Sequence, residues 1–391
     1  MSKYFLVTTA LESTWDSSCK TVFLGEWCKL YKKKSIWEKM DTITHEYHWN
    51  DREKYYSDYQ YLDSLYEKKL VLLSQKLGKM HGVTTNIRFW RIIIGPWLRF
   101  FIDSVFDRYE NVRSLKRLHK IENTSILQYK LSDWAPSNFA CFYKQFTSDA
   151  WNHVIFSECI KDIKFPHVDL DIRLKEKEEV QLGFKDKLIN KVLLLTNKLT
   201  PNFLNKIVIV APYIGIGKLF KWQLQLGQVP FLSREQSFDF PKNIDTAKRF
   251  LLKDDNVKDG YERLLDRLIV NLIPLNYVEN FDIFYKKSLV CYPKKPSVIY
   301  TANAYQANDS FKFWLAYHAD NKIPFVLGQH GGNMGIARVS QPEDHQIKIA
   351  DVYFSWGWSN AKKMNIKPFP TPQLDKIQPK YKQSGDIIMA I

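Results

Sequence analysis

The sequence predicts an α/β fold, a mostly parallel sheet with helices on both faces and large helical insertions. Three observations carry this. Short apolar runs end repeatedly in polar residues and give way to helical periodicity, the alternation expected where parallel strands are joined by crossover helices. The 391-residue chain is 45% hydrophobic and 15% aromatic, which is enough for a large core and far too apolar for a disordered chain. Glycine-containing turns stand directly after the apolar runs, where open α/β sheets hold their ligands.

Tyr4 to Thr8 and Thr21 to Leu24 read as the first two strands, ending in Thr8-Thr9-Ala10-Leu11-Glu12 and Gly25-Glu26-Trp27. Asn50 or Asp51 caps a long helix in which Tyr55, Tyr59, Leu62, Leu65, Leu72, Leu73 and Met80 recur at helical spacing until Gly82 stops it. A second helix spans about Asn86 to Leu118, and Gly95-Pro96 is expected to kink it. These helices open an insertion over roughly residues 50–200. Lys206 to Ala211 is a buried strand, followed by Pro212-Tyr213-Ile214-Gly215 and a helix from Lys218 to Leu226. Ser297 to Thr301 is another, ending in Ala302-Asn303-Ala304-Tyr305, with Asp309 or Ser310 capping the helix that carries Phe313 and Trp314. Phe325 to Gly328 runs into Gln329-His330-Gly331-Gly332-Asn333-Met334-Gly335, and the strand after it ends in Trp356-Gly357-Trp358. Residues 1–364 are expected to form one domain around one sheet. Residues 365–384 read as a Pro- and Lys-rich linker, and Gly385 to Ile391 as the first strand of a second domain cut short by the end of the sequence.

The formal charge of +15 suggests an anionic partner: nucleic acid, an anionic membrane face or a nucleotide-activated substrate. Lysine is spread along the chain, its tightest cluster being Lys29 to Lys34, and no RRM, KH, zinc-finger or helix-turn-helix signature is present. Peripheral contact with the inner membrane therefore ranks above nucleic acid, which is not expected as a partner. Apolar runs such as Ile92-Ile93-Ile94 are broken well short of the ~20 residues of a membrane span. The N-terminus reads as a strand without the features of a secretory signal, which places the protein in the cytoplasm. Cys19, Cys28, Cys141, Cys159 and Cys291 are scattered and show no CxxC spacing, so reduced core thiols are expected, without disulfides or zinc.

His330 is the leading catalytic candidate. It stands where a strand meets a glycine-rich turn, and glycine lets backbone N–H groups approach a phosphate or carboxylate closely. Gln329, Gly331, Gly332 and Asn333 crowd into the same loop.

Thr8-Thr9-Ala10-Leu11-Glu12, Leu24-Gly25-Glu26-Trp27-Cys28, His48-Trp49-Asn50-Asp51-Arg52, Tyr61-Leu62, Phe89-Trp90-Arg91-Ile92, Ile94-Gly95-Pro96-Trp97, Asp149-Ala150-Trp151-Asn152, Gln225-Leu226-Gly227-Gln228, Gly328 to Gly332 and Trp356-Gly357-Trp358 together resemble a bacterial family of transferases of O-antigen and other surface-polysaccharide gene clusters. The similarity spans residues 4 to about 358. More distantly, the Gln-His-Gly loop is similar to that of GT-B capsule glycosyltransferases, including those that move Kdo from CMP-Kdo, and of CDP-glycerol glycerophosphotransferases. The resemblance implies a GT-B architecture of two Rossmann-like domains with the active site in the cleft between them. This chain would supply the N-terminal, acceptor-side half, since members of the family are longer.

It further implies transfer of a sugar from a nucleotide-activated donor to a glycan or lipid-linked acceptor, with the nucleotide sugar as substrate and no cofactor or metal. On that basis His330 is the general base and Glu26 the competing base or a ligand of acceptor hydroxyls. Gly331, Gly332 and Asn333 offer N–H groups to donor phosphates or to the acceptor. Thr8, Thr9, Asn303 and Tyr305 line the acceptor side, and Arg91 and Arg52 neutralise a phosphate or sugar carboxylate or else form structural ion pairs. The alternatives are a non-catalytic binding or scaffold domain and a CDP-glycerol-type glycerophosphotransferase.

Overall fold

The computed structural model describes residues 3–174, 195, 201–232, 236, 238, 240–257, 260–331 and 333–371. It resolves into two compact units, the first comprising residues 1–198, 234–294 and 305–322 and the second residues 199–233, 295–304 and 323–391. Each described unit is built on a five-stranded sheet, and every strand pairing is parallel. The α/β class expected from the sequence holds.

The sheet of the first unit contains β1 (Lys3–Val7), β2 (Thr21–Phe23), β3 (Thr42–Thr44), β4 (Lys120–Gln128) and β5 (Val168–Arg173), in the order β3-β2-β1-β4-β5. Its order reverses at β1, so the carboxyl ends of β1 and β4 flank a topological switch point. Phe5, Leu6 and Val7 are all buried, as a strand covered on both faces requires.

Two long helices pack in this unit, α1 (Arg52–His81) and α2 (Ile87–Leu118). The Asp51 carboxylate accepts the Glu53 and Lys54 amides at 2.9 and 3.0 Å and so caps α1, while Gly82 ends it at φ 62°, a conformation glycine adopts without steric cost. α2 is buried on nearly all sides, with Ile92, Ile93, Ile94, Trp97, Phe101 and Ile102 inaccessible, and Pro96 lies within it without ending it. Three further helices of this unit are α3 (Asp149–Ile163), α5 (Tyr261–Leu272) and α6 (Asp309–Asp320); α4 (Ile216–Gln225) and α7 (Gln341–Ile349) belong to the second unit. The cap of α6 is Asn308, whose side chain accepts the Phe311 amide at 2.9 Å, rather than Asp309 or Ser310. Asp309 is instead consumed in the core. It pairs with the fully buried Lys312 at 2.6 Å and accepts the Tyr277 hydroxyl at 3.0 Å, while Lys312 also donates to the Ile93 carbonyl of α2 at 3.1 Å. Removing one partner of such a pair leaves an uncompensated buried charge, at a cost of about 3–5 kcal/mol.

The second sheet contains β6 (Ile207–Val210), β7 (Val298–Thr301), β8 (Phe325–Gly328), β9 (Val352–Ser355) and β10 (Ile366–Pro368), side by side in chain order. The single sheet expected for the strands of residues 1–364 is thereby corrected. Short apolar runs of similar composition reveal that a strand forms but carry no information about its neighbours. The stretch read as a linker from residue 365 also begins in a strand, because β10 pairs with β9; Pro368 is tolerated there since an edge strand has a side that needs no amide donor. The remainder of that stretch from residue 372, and the strand expected at 385–391, lie outside the described residues. All five cysteines are free, and burial pushes the Cys28 and Cys291 thiols up to about 12; Cys19 is exposed and not part of the core. Among the described residues, no helix is long and apolar enough to cross a membrane.

Burial holds His45, His81, His153 and His318 at about 4, well below the ordinary histidine value. His153 shows why: its Nε2 accepts the Leu127 amide of β4 at 3.1 Å, a bond that only the unprotonated nitrogen makes. Because the folded pKa values lie below the unfolded value of about 6.5, the unfolded chain binds more protons in between. The contribution to stability is therefore complete above about pH 6.5 and is lost as pH falls toward 4. We predict that the thermal midpoint drops steadily from pH 7 to pH 4.5 and that His153→Gln shallows this slope; a flat profile in melts monitored by circular dichroism refutes it.

Candidate functional site

Successive parallel strands of the second sheet deliver their carboxyl-terminal loops to one edge. β6 is followed by Ala211-Pro212-Tyr213, β7 by Asn303, β8 by Gln329 to Gly335 and β9 by Trp356 to Trp358. Three of these loops meet. The half-exposed Tyr213 accepts a hydrogen bond at its hydroxyl from Asn303 Nδ2 at 2.5 Å, and its ring stacks on His330 with centroids 5.5 Å apart and planes 23° apart. Ala211 and Tyr213 both hold positive φ, 46° and 55°, which for residues with a side chain stores about 1–3 kcal/mol each and is characteristic of functional loops.

His330 is half-buried, and its Nε2 is shielded from solvent without a hydrogen-bond partner among the described residues. Burial lowers its pKa and keeps the ring neutral at physiological pH. In the tautomer that carries its proton on Nδ1, such a nitrogen is an unused acceptor.

Gln329, by contrast, is spent on structure. Its Oε1 accepts both the Trp356 amide and the Trp358 indole N–H at 2.9 Å, and its Nε2 donates to the Met334 carbonyl at 3.3 Å. This one amide joins the β8 and β9 loops and holds the turn that presents His330. Met334, buried, seats its sulfur against the Tyr353 hydroxyl at 3.5 Å and fixes the far end of the loop. Gly331 takes φ 131° and Gly335 φ 81°, and a Cβ on Gly335 would lie 2.5 Å from the Trp358 indole nitrogen. Asn333 is exposed, and its carbonyl accepts the Ile336 and Ala337 amides at 3.2 and 3.0 Å. Gly332 lies outside the described residues.

The remaining candidates belong to the first unit. Thr8 and Thr9 follow β1 and are buried; their carbonyls accept the Trp27 and Trp15 indole N–H groups at 2.9 and 3.0 Å, and Thr9 Oγ1 meets no partner among the described residues. Glu26, after β2, is largely exposed and pairs with Lys29 at 2.8 Å. Tyr305 is 1% exposed and is a core residue rather than a cleft lining. Arg91 forms a bidentate ion pair with Glu67, both bonds 2.7 Å, and so takes the structural alternative; Arg52 is exposed in the first turn of α1. Of the residues expected to line the site, only Asn303 joins His330 in a described cluster. Tyr213 was missed, although its place directly after an apolar run was the available signal.

An α/β protein with parallel sheets and a neutral histidine at a carboxyl edge is the class these observations define. A family model described as LIC12162 family transferase matches residues 4–391, and the chain belongs to that family. No curated protein and no solved structure matches it.

The clamp makes a prediction. Gly335→Ala adds a clash with Trp358 to an unfavourable positive φ, and should cost about 1–3 kcal/mol while releasing the indole from Gln329. An unchanged melting temperature together with unchanged Trp fluorescence counts against the clamp.

Proposed function

We propose that this transferase moves a sugar from a nucleotide-activated donor to a glycan or lipid-linked acceptor in bacterial surface-polysaccharide synthesis, with His330 as general base. The observation that carries this is the neutral His330 ring, its Nε2 without a partner among the described residues, stacked on Tyr213, whose hydroxyl Asn303 holds. An acceptor hydroxyl donates to Nε2, passes its proton there as its oxygen bonds the donor sugar carbon, and the bond from that carbon to the phosphate oxygen breaks with its electron pair. Tyr213 and Asn303 orient the imidazole and the sugar hydroxyls. Glu26 remains the rival base.

The departing phosphate needs donors. Directly after Tyr213, α4 opens behind Gly215 with no side-chain cap, and nothing lies within 4 Å of a Cβ placed on Gly215 or Gly217. Backbone amides at an uncapped helix N-terminus suit a phosphate, and the glycines leave room for its approach. Contact with the inner face of the cytoplasmic membrane fits this role, since a lipid-linked acceptor and the charge of +15 both favour an anionic surface.

The test is turnover with a panel of CMP-, CDP- and UDP-sugars against lipid-linked acceptors. His330→Ala should lower kcat by about 10²- to 10⁴-fold with the fold intact. The base must be unprotonated, so kcat/KM should rise with pH to a plateau, with a midpoint below the ordinary histidine value of about 6.5. A near-active His330→Ala alongside an inactive Glu26→Gln transfers the role to Glu26. Transfer of glycerol phosphate from CDP-glycerol to the acceptor hydroxyl, with CMP leaving and no sugar transferred, replaces the donor class.

A further inference from the structure

Tyr61, from a motif that the His330 site does not absorb, lines a cleft of about 410 Å³ within the first unit, between α1, α2 and the start of α5. Its size falls in the range of small-molecule sites. Its apolar wall is aromatic: Phe106 packs edge-on against Tyr261 with centroids 5.0 Å apart and lies 5.9 Å from Tyr61, and Tyr109 sits 5.7 Å from Tyr261. Trp49 stacks on Phe106 from behind, at 6.1 Å.

Its polar wall consists of Lys54 and Arg113 against Asp58, Glu110 and Glu262. These groups are already paired with one another. Lys54 bonds Asp58 and approaches Glu110 at 4.0 Å, Arg113 bonds Glu110 at 2.7 Å, and the Tyr61 hydroxyl donates to Glu262 Oε1 at 3.4 Å. Glu262 Oε2 is buried and accepts no hydrogen bond among the described residues, although Lys68 stands 3.5 Å away. The cluster is held from behind, where His48 Nδ1 lies 3.4 Å from the Lys54 ammonium and His48 Nε2 lies 3.1 Å from the buried Asp107 carboxylate.

With Lys68 beside Glu262, three carboxylates and three cations neutralise one another here, so no uncompensated positive charge is left to hold a phosphate or a carboxylated sugar. The carboxylates still offer spare lone pairs to hydroxyl donors, while Lys54 and Arg113 donate to hydroxyl oxygens. Aromatic rings beside them suit the C–H face of a pyranose. We propose that this cleft binds a neutral, polyhydroxylated ligand, one uncharged glycosyl unit; that this unit belongs to the acceptor rests on the sugar-transfer reading, but its binding here does not.

The experiment is saturation-transfer-difference NMR on the full chain with methyl glycosides of neutral hexoses, 6-deoxyhexoses and N-acetylhexosamines, with cytidine monophosphate as the anionic control. At least one neutral glycoside should receive saturation, and Glu262→Gln should weaken its binding by about tenfold, the worth of a hydrogen bond to a charged group. Circular dichroism reports whether each variant folds, and Tyr61→Phe, a milder change at the same carboxylate, should weaken binding in the same direction. Saturation of none of the neutral glycosides, or binding unaltered in both variants, overturns the proposal. Glycoside binding lost in Glu262→Gln without any sugar transfer would sustain the cleft and refute the sugar-transfer reading; transfer without glycoside binding would do the reverse.

Discussion

Parallel strands cannot be joined by a tight turn, so each step from strand to strand must leave the sheet and return. Every described pairing in this protein is parallel, and the consequence is spatial: all carboxyl ends of a sheet collect on one edge. Residues 213, 303 and 330 are far apart in the chain, yet β6, β7 and β8 are neighbours, and that alone brings their loops together. The same constraint demands many crossovers, and the long helices of the first unit satisfy it.

Around that edge, rigidity comes from polar groups that are fully used. Gln329 closes the loop by two accepted bonds and one donated bond, and Met334 anchors its far end in the core. His330, one residue from the clamp, is left with an unused nitrogen. A nitrogen left over in this way can accept a hydrogen bond without first giving one up. In the first unit Lys312, Asp309 and Tyr277 leave no such contrast, since they satisfy one another in the interior.

Fold class was legible in the sequence because periodicity is local. The cap at Asp51, the stop at Gly82 and the helix from Asn86 to Leu118 were read to within a residue or so, since each rests on side chains within one helical turn. The division into two sheets was not legible. Val208, Ile209 and Val210 are as apolar as Phe5, Leu6 and Val7, and which run pairs with which depends on packing across the whole chain.

The sequence by itself determined that strands alternate with helices, that a glycine-rich turn follows the strand at Phe325–Gly328, and that His330 stands in it. Only the tertiary structure decided what each candidate contacts. It turned Gln329 into a clamp, Arg91 into the partner of Glu67, and Tyr305 into a core residue, and it added Tyr213 beside His330. The physical reason is that a side chain's role depends on whether its polar atoms are already satisfied, which is set by neighbours tens or hundreds of residues away.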